Sequence, residues 1–547
     1  MPYAVAAESG PQLDPTATMV TPGTIVGKEG NVTLTEIPDS WKTGAPVLDT
    51  TYKYCKPYLK DGVDTTLTVD GVVGAVGNPL YIREGKAIIN DSDIKGSLAT
   101  QTQPMIQVAG NGAELTLNNT VYTDTISAGY LAVGGPDGKG TLNLNGNSKV
   151  SVISLVAGYN WRASWSEEFA IINSTAATTE GGERYKNGEY TYNADAERYF
   201  GAATININKG AELELGTTAF LVEAKVNVNG GLLEVGADNT KNPMVIGRQN
   251  GCTTELNITN GGTVQTNTQV DVQTGDYFSG AEAASTRISV SGSGSRLLVG
   301  NNLLVGFNAN QNKEGQSIFE VLDGGRVEAK SITLGRADAN ELKQLIATVG
   351  AGSTIAAEEL HVLGGADVTN KGTIEAEIFI DGGTFTMENR AVAAGLTATS
   401  GTIYLNGDVT FTGAVVLGSP VSVATLMTLS GESDALTLYI NQGSTINADE
   451  LTVGNGTSIA VILNEDETYT EGMELFTVTG SDAATVSAIE SALGTNVTVY
   501  DNGIVEGTGT QVADATGSIT TNVVPEPTTA TLSLLALASL AMRRRRK

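Results

Sequence analysis

At 547 residues the chain exceeds one ordinary compact domain, leaving several domains or one elongated repeat array. Only 17% of residues are charged, 40% are apolar and 66 are Gly, a mixture poor for helices but able to form a core from many short, turn-broken strands. The balance of 32 Lys+Arg against 60 Asp+Glu, net −28, repels phosphate backbones and anionic lipid, which argues against nucleic-acid binding.

The chain opens MPYAVAAESG. It lacks a basic n-region and an apolar h-region, so it is not a whole signal peptide, although Ala4-Val5-Ala6 has the small-x-small form of a cleavage site. Residues 1–61 read as an N-terminal segment and cap, with Trp41, Tyr52, Tyr54 and Tyr58 supplying apolar bulk. The two cysteines, Cys55 and Cys252, form no CxxC, which removes zinc-ribbon and thioredoxin-type chemistry; two buried thiols are the expectation.

From 62 to 480 one phrase recurs: a short alternating strand, a glycine turn, another short strand, then an apolar pair before Gly. It reads ATININKGAELELG at 203–216, AKVNVNGGLLEVG at 224–236 and TELNITNGGTVQTN at 254–267. The second turn residue is placed at Gly262, Gly294, Gly325, Ser353 and Gly372, with gaps of 32, 31, 28 and 19. A self-similar period of that size is a solenoid signature, and alternation by two makes the rungs strands. In LNITNGG, Leu256 and Ile258 should face in while Asn257 and Thr259 face out. The expected fold is all-β, a right-handed parallel β-helix (β-solenoid) with terminal caps and a single C-terminal hydrophobic helix. A β-sandwich array or propeller is the runner-up, disfavoured by the uneven period. The LxVG…LxVxxGGxV rungs also resemble repeats of autotransporter passenger β-helices.

One insertion, 159–200, breaks the rhythm. It holds 9 of the chain's 30 aromatics and two of its three tryptophans. Trp161, Trp165, Tyr185, Tyr190 and Tyr192 are candidate carbohydrate contacts, since aromatic faces stack on sugar rings; packing among themselves and on the solenoid flank is the structural alternative. A helix is expected near 338–346 as a further insertion. His361, the only histidine, sits at a strand-like alternating position and reads as structural. It excludes multi-histidine metal sites, and any Ser-His-Asp triad would have to use it. Stretches such as 462–468 offer oxygen ligands, but no calcium motif is present, so no cofactor is assigned and Ca²⁺ stays unsupported.

Residues 481–506 read as the C-terminal cap, with a helix at 481–494, and 507–524 as a linker. The last segment, 525–547, differs from everything before it. Thr528 to Met542 carry no charge and as a helix span about 22 Å, short of the roughly 30 Å hydrocarbon core. Arg543, Arg544, Arg545, Arg546 and Lys547 follow, and by the positive-inside rule they stay cytoplasmic. Pro525-Glu526-Pro527, a short apolar helix and a terminal basic cluster, in that order, resemble the PEP-CTERM sorting signal. The resemblance covers about 25 residues. It implies export across the inner membrane of a Gram-negative-type bacterium and a membrane-tethered precursor. An exosortase-type enzyme would then remove the helix and basic tail, in a setting of exopolysaccharide production.

Two functions follow. One is an exported surface or extracellular structural and adhesive solenoid, with exopolysaccharide or other glycans as partners. The other is a β-helix polysaccharide lyase or glycoside hydrolase, for which no catalytic residue can be chosen among 60 acids. An Asp/Glu cluster with Arg on one sheet face would favour the enzyme; a uniform Asn/Thr/Ser face would favour the structural protein.

Overall fold

A computed structural model of the chain describes residues 66–76, 80–96, 104–124, 130–134, 139–158, 202–237, 242–247, 252–273, 285–307, 316–336, 345–407 and 409–417. Beyond these it describes short segments at 25–26, 32–36, 57–58, 185–186, 189–190, 436–441, 444–447, 450–453, 457–462, 474–480, 497–500, 514–515 and 520–525. The chain divides into two units, Met1–Ile318 and Phe319–Lys547.

Unit 1 is built of coils of three strands, and like strands of successive coils pair in parallel. Face A stacks Val32–Leu34, Thr66–Asp70, 86–90, 113–118, Gly140–Asn145, Ala203–Asn208, Ala224–Asn229, Thr253–Thr259 and Ser285–Ser291. Face B stacks Val73–Val76, Asp93–Gly96, Val121–Asp124, 149–152, 212–215, Leu232–Val235, Thr263–Thr266 and 296–299. Face C runs from 80–82 through Tyr130–Val133, 154–157, 218–221, Met244–Ile246 and Val270–Gln273 to 303–307.

Unit 2 repeats the cycle within itself. Its face A runs from Leu345–Val349 through Ala366–Asn370, Thr384–Met387 and Thr402–Leu405 to Leu436–Asn441, Thr457–Ile462 and Val497–Tyr500. Faces B and C begin at 326–328 and 331–334 and continue to Thr520–Pro525 and Glu450–Val453. Sandwiches and propellers pair neighbouring strands antiparallel, so these registers exclude the runner-up architectures. The parallel pairing also reaches residues read as cap and linker, at Val32–Leu34 and Thr520–Pro525.

The core follows from alternation by two. Leu115, Leu142, Ile205, Val226, Leu256 and Ile288 occupy one register position of face A, stacked coil upon coil, and all are fully buried. Leu117, Leu144, Ile207, Val228, Ile258 and Val290 form the next stack. Leu256 and Ile258 face in and Asn257 and Thr259 face out, as the pattern requires. Each buried aliphatic contributes about 1.5–3 kcal/mol, and none can be buried by a single coil.

The corner between faces A and B is a four-residue turn closed by a backbone hydrogen bond, for example Gly262 N–H to Thr259 O at 2.9 Å. Ser148, Ala211, Ser295, Gly325, Ser353 and Ala391 close equivalent turns. After Gly262 the closing residue is therefore Ser295, not Gly294, because Thr263 pairs with Arg296. The sequence Gly-Ser-Gly-Ser offers two glycines there, and the one at 294 takes the left-handed position (φ +83°) instead. Where the closing residue bears a hydroxyl, it serves the neighbouring coil: Thr120 N–H donates to Ser148 Oγ and Gly261 N–H to Ser295 Oγ, each at 3.1 Å.

No helix occurs among the described residues. The helix expected near 338–346 is overturned at its end: Leu345 and Ile346 start the strand Leu345–Val349, which pairs with Ala366–Asn370. Its burial alternates by two, with Leu345, Ala347 and Val349 inside, a pattern a helix cannot produce. Residues 481–494 and 528–542, the other expected helices, lie outside the described residues.

Candidate functional site

The three outward faces of unit 1 differ in chemistry. On face A, the central outward row places Thr116, Asn143, Asn206, Asn227 and Asn257 at one register position. Each asparagine donates its amide to the oxygen of the coil before: Asn206 to Asn143 at 2.7 Å, Asn227 to Asn206 at 2.8 Å, Asn257 to Asn227 at 3.1 Å. Asn143 ends the run on Thr116 and Glu114. Two residues along each strand a second ladder links Asn90, Asn118, Asn145 and Asn208 at 2.7–2.9 Å. The linked coils are offset by 21 to 63 residues, and the 63-residue coil is the one carrying the 159–200 insertion. Side-chain ladders of this kind hold stacked strands flat and fix the amide orientation. The outermost row of the same face bears ion pairs, Lys86–Glu114 at 3.3 Å and Lys225–Glu255 at 2.9 Å.

Face B is charged. Lys149 Nζ lies 2.9 Å from Glu212 and 2.8 Å from Glu214, and Ser151 donates to Glu214. Hydrogen bonds donated to Glu214 and Glu212 raise the Lys149 pKa, and the bond from Lys149 holds Glu214 below the usual carboxylate range. Lys225 does the same to Glu255 on face A. Both carboxyls are thus held ionised, the opposite of what a general acid in glycoside cleavage needs. Inside face B, Tyr122 packs between Ile94 and Val150; it is 1% exposed and its hydroxyl has no partner among the described residues. Burial, then Asp124, pushes its pKa far up.

Face C is apolar. Ala132, Val156, Phe220 and Val245 share its outward row. Val156 packs with Val222 and Cys252, flanked by Tyr130 and Phe220, in a cluster of its own. Cys252 is buried, its thiol 3.6 Å from the Gly247 carbonyl; Cys55 lies outside the described residues. In unit 2, His361 stands on a strand as expected. Its ring stacks on Phe379 (centroids 5.1 Å, 17°) and Nε2 is 3.1 Å from Glu359.

Of the candidate carbohydrate contacts, Tyr185 and Tyr190 are brought opposite each other by an antiparallel pair of two-residue strands. Trp161, Trp165 and Tyr192 lie outside the described residues. In the candidate sorting signal Pro525 is the last residue of the strand Thr520–Pro525, opposite Gly480; Glu526, Pro527 and Arg543–Lys547 lie outside the described residues. Among the described residues no group of three or more His, Cys, Asp or Glu could hold a metal ion, and no helix is long and apolar enough to cross a membrane. The asparagine ladders were not singled out from sequence, though their signal is there: Asn-x-Asn recurs at 143/145, 206/208 and 227/229.

No protein-family model, no curated protein and no solved structure matches the chain.

Proposed function

We propose that this chain is an exported structural and adhesive β-solenoid of the cell surface or extracellular matrix, associated with exopolysaccharide. The observation that carries the reading is the polar dress of the coils: outward rows of laddered Asn and Thr, with neighbouring carboxylates held by cations, Glu212 and Glu214 on Lys149 and, in unit 2, Glu328 and Glu375 on Arg326. Right-handed winding is the hand that parallel crossovers take in nearly all cases. Caps at 30–60 and 481–494 would cover the ends that every solenoid must shield. The 525–547 segment would sort the protein: an exosortase-type enzyme acts on a precursor tethered in the inner membrane, cuts near Pro525-Glu526-Pro527 and releases the solenoid outward. Trp161, Trp165, Tyr185, Tyr190 and Tyr192 are candidate glycan contacts on the insertion.

The test is the intact mass of the native protein recovered from its own cell envelope and medium. Loss of the C-terminal residues, about 20 with the basic tail included, is the expected result. A mass that retains Arg543 to Lys547 refutes sorting by cleavage and makes the tail a permanent anchor.

A further inference from the structure

We infer that the asparagine face of unit 1 is itself a binding surface for a neutral, hydroxyl-rich polysaccharide. This rests on the reading of the chain as a glycan-associated solenoid and adds the surface and the charge class of its partner. Three observations point the same way.

The first is charge. The chain carries −28, yet the two inner outward rows of face A, from Asn90 and Thr116 to Asn208 and Asn257, hold no charged residue. The charges of the third row are paired, Lys86 with Glu114 and Lys225 with Glu255. A neutral polymer can cover this face without stripping water from a lone ion, which is costly. An anionic polymer is repelled by the net charge, and a second copy of the chain, also at −28, is repelled likewise.

The second is orientation. A primary amide has two N–H donors and an oxygen with two lone pairs. Along the ladder each interior asparagine, Asn206 for instance, uses one donor and one lone pair on its neighbours. Among the described residues one donor and one acceptor on each remain. They repeat about every 4.8 Å from coil to coil and roughly every 6.7 Å between rows. Sugar hydroxyls both donate and accept, so such a grid matches a polyhydroxylated chain. The amides are already fixed by the ladder, so binding loses little side-chain entropy.

The third is residue choice. Asn is disfavoured in strands relative to Thr or Val. Stability alone would fill these outward positions with β-branched residues, yet Asn143, Asn145, Asn206, Asn208, Asn227 and Asn229 recur in phase and are half-buried.

The experiment is a pull-down of the full chain on insoluble cellulose, chitin and curdlan, with alginate as the anionic comparison, at low and high salt. Three variants accompany the wild type. Asn206→Thr/Asn227→Thr removes central amides. Thr204→Arg keeps the ladder but lays a long side chain across the outer row. Glu234→Gln changes face B only. Binding of the wild type to at least one neutral glycan, insensitive to salt, weakened at least about tenfold by both face-A variants and unchanged by Glu234→Gln, is the expected result.

Four outcomes overturn the inference. The wild type binds none of the three neutral glycans. Binding prefers alginate. Binding falls only when Trp161 and Trp165 are replaced by Ala. Or the Asn→Thr pair loses binding together with its unfolding midpoint while Thr204→Arg binds normally, which makes the ladder purely structural. None of these touches the mass measurement, so the sorting reading stands or falls separately.

Discussion

Gly261 and Gly262 sit side by side at one corner and are required for different reasons. Gly261 has φ +79° and nothing within 4 Å of a added Cβ. Gly262 has no positive φ, but a Cβ there would lie 2.2 Å from the Val228 carbonyl oxygen, where ordinary contact begins at 3.4 Å. Gly261→Ala therefore pays only the left-handed conformation, about 1–2 kcal/mol. Gly262→Ala must push apart two coils joined by Thr263 N–H to Gly231 O at 2.9 Å and Gly230 N–H to Thr259 O at 3.0 Å. Overpacking of about 1–3 kcal/mol, with one or two ladder bonds weakened at about 1 kcal/mol each, gives roughly 4 kcal/mol. Because repeat arrays open locally, the suitable assay is hydrogen exchange of peptides spanning 253–273. Gly261→Ala should speed exchange there about tenfold and Gly262→Ala on the order of a thousandfold. Equal effects, or a tolerated Gly262→Ala, would refute the close approach of the two coils.

Tyr122→Phe removes a buried hydroxyl with no partner among the described residues, so stability in urea unfolding should stay or rise, by up to about 1 kcal/mol; a loss of that size would reveal a partner. A double-mutant cycle on Asn206→Ala and Asn227→Ala should give a coupling of about 0.5–1.5 kcal/mol, and zero coupling would mean the ladder bond is not made in solution. The Lys149 bond depresses the Glu214 pKa, so its stabilisation is present above the ordinary carboxyl value and is lost as pH falls through the depressed folded value. Lys149→Met should thus cost roughly 0.2–1 kcal/mol near neutrality, with the gap closing in acid; a gap that widens in acid contradicts the pairing. With Cys55→Ser in place, Cys252 should react with a thiol reagent only on unfolding, since it is 2% exposed; prompt reaction of the native protein would show that its pocket opens.

The fold was largely legible because the signal is collective. Alternation in Leu256-Asn257-Ile258-Thr259 fixes which side chains face in, and repetition across coils turns a weak local pattern into a register. Two things were not legible. The turn between Ser291 and Arg296 contains two glycines, and only pairing with the neighbouring coil decides that Ser295 closes it. Leu345-Ile346 follows helix-favouring residues, and only the partner Ala366–Asn370 makes it a strand. The candidate site was missed for a related reason. Asn-x-Asn within one rung is a commonplace polar alternation. It becomes a ladder only when coils 21, 30 and 63 residues apart bring the amides together.

The same parallel stacking bears on the tail. A solenoid exposes a strand edge at each end, and an open edge invites another strand. The strand Thr520–Pro525 pairs with Glu474–Gly480 and ends at Pro525, opposite Gly480. Proline has no N–H to donate, and in a strand residues i and i+2 present their N–H groups to the same neighbour. Pro525, the last residue of that strand, therefore leaves one donor missing from its edge. The first residue of the tripeptide that resembles a sorting motif is thus also the last residue of the strand. Cleavage after this point, as proposed, leaves the paired strand 520–525 intact.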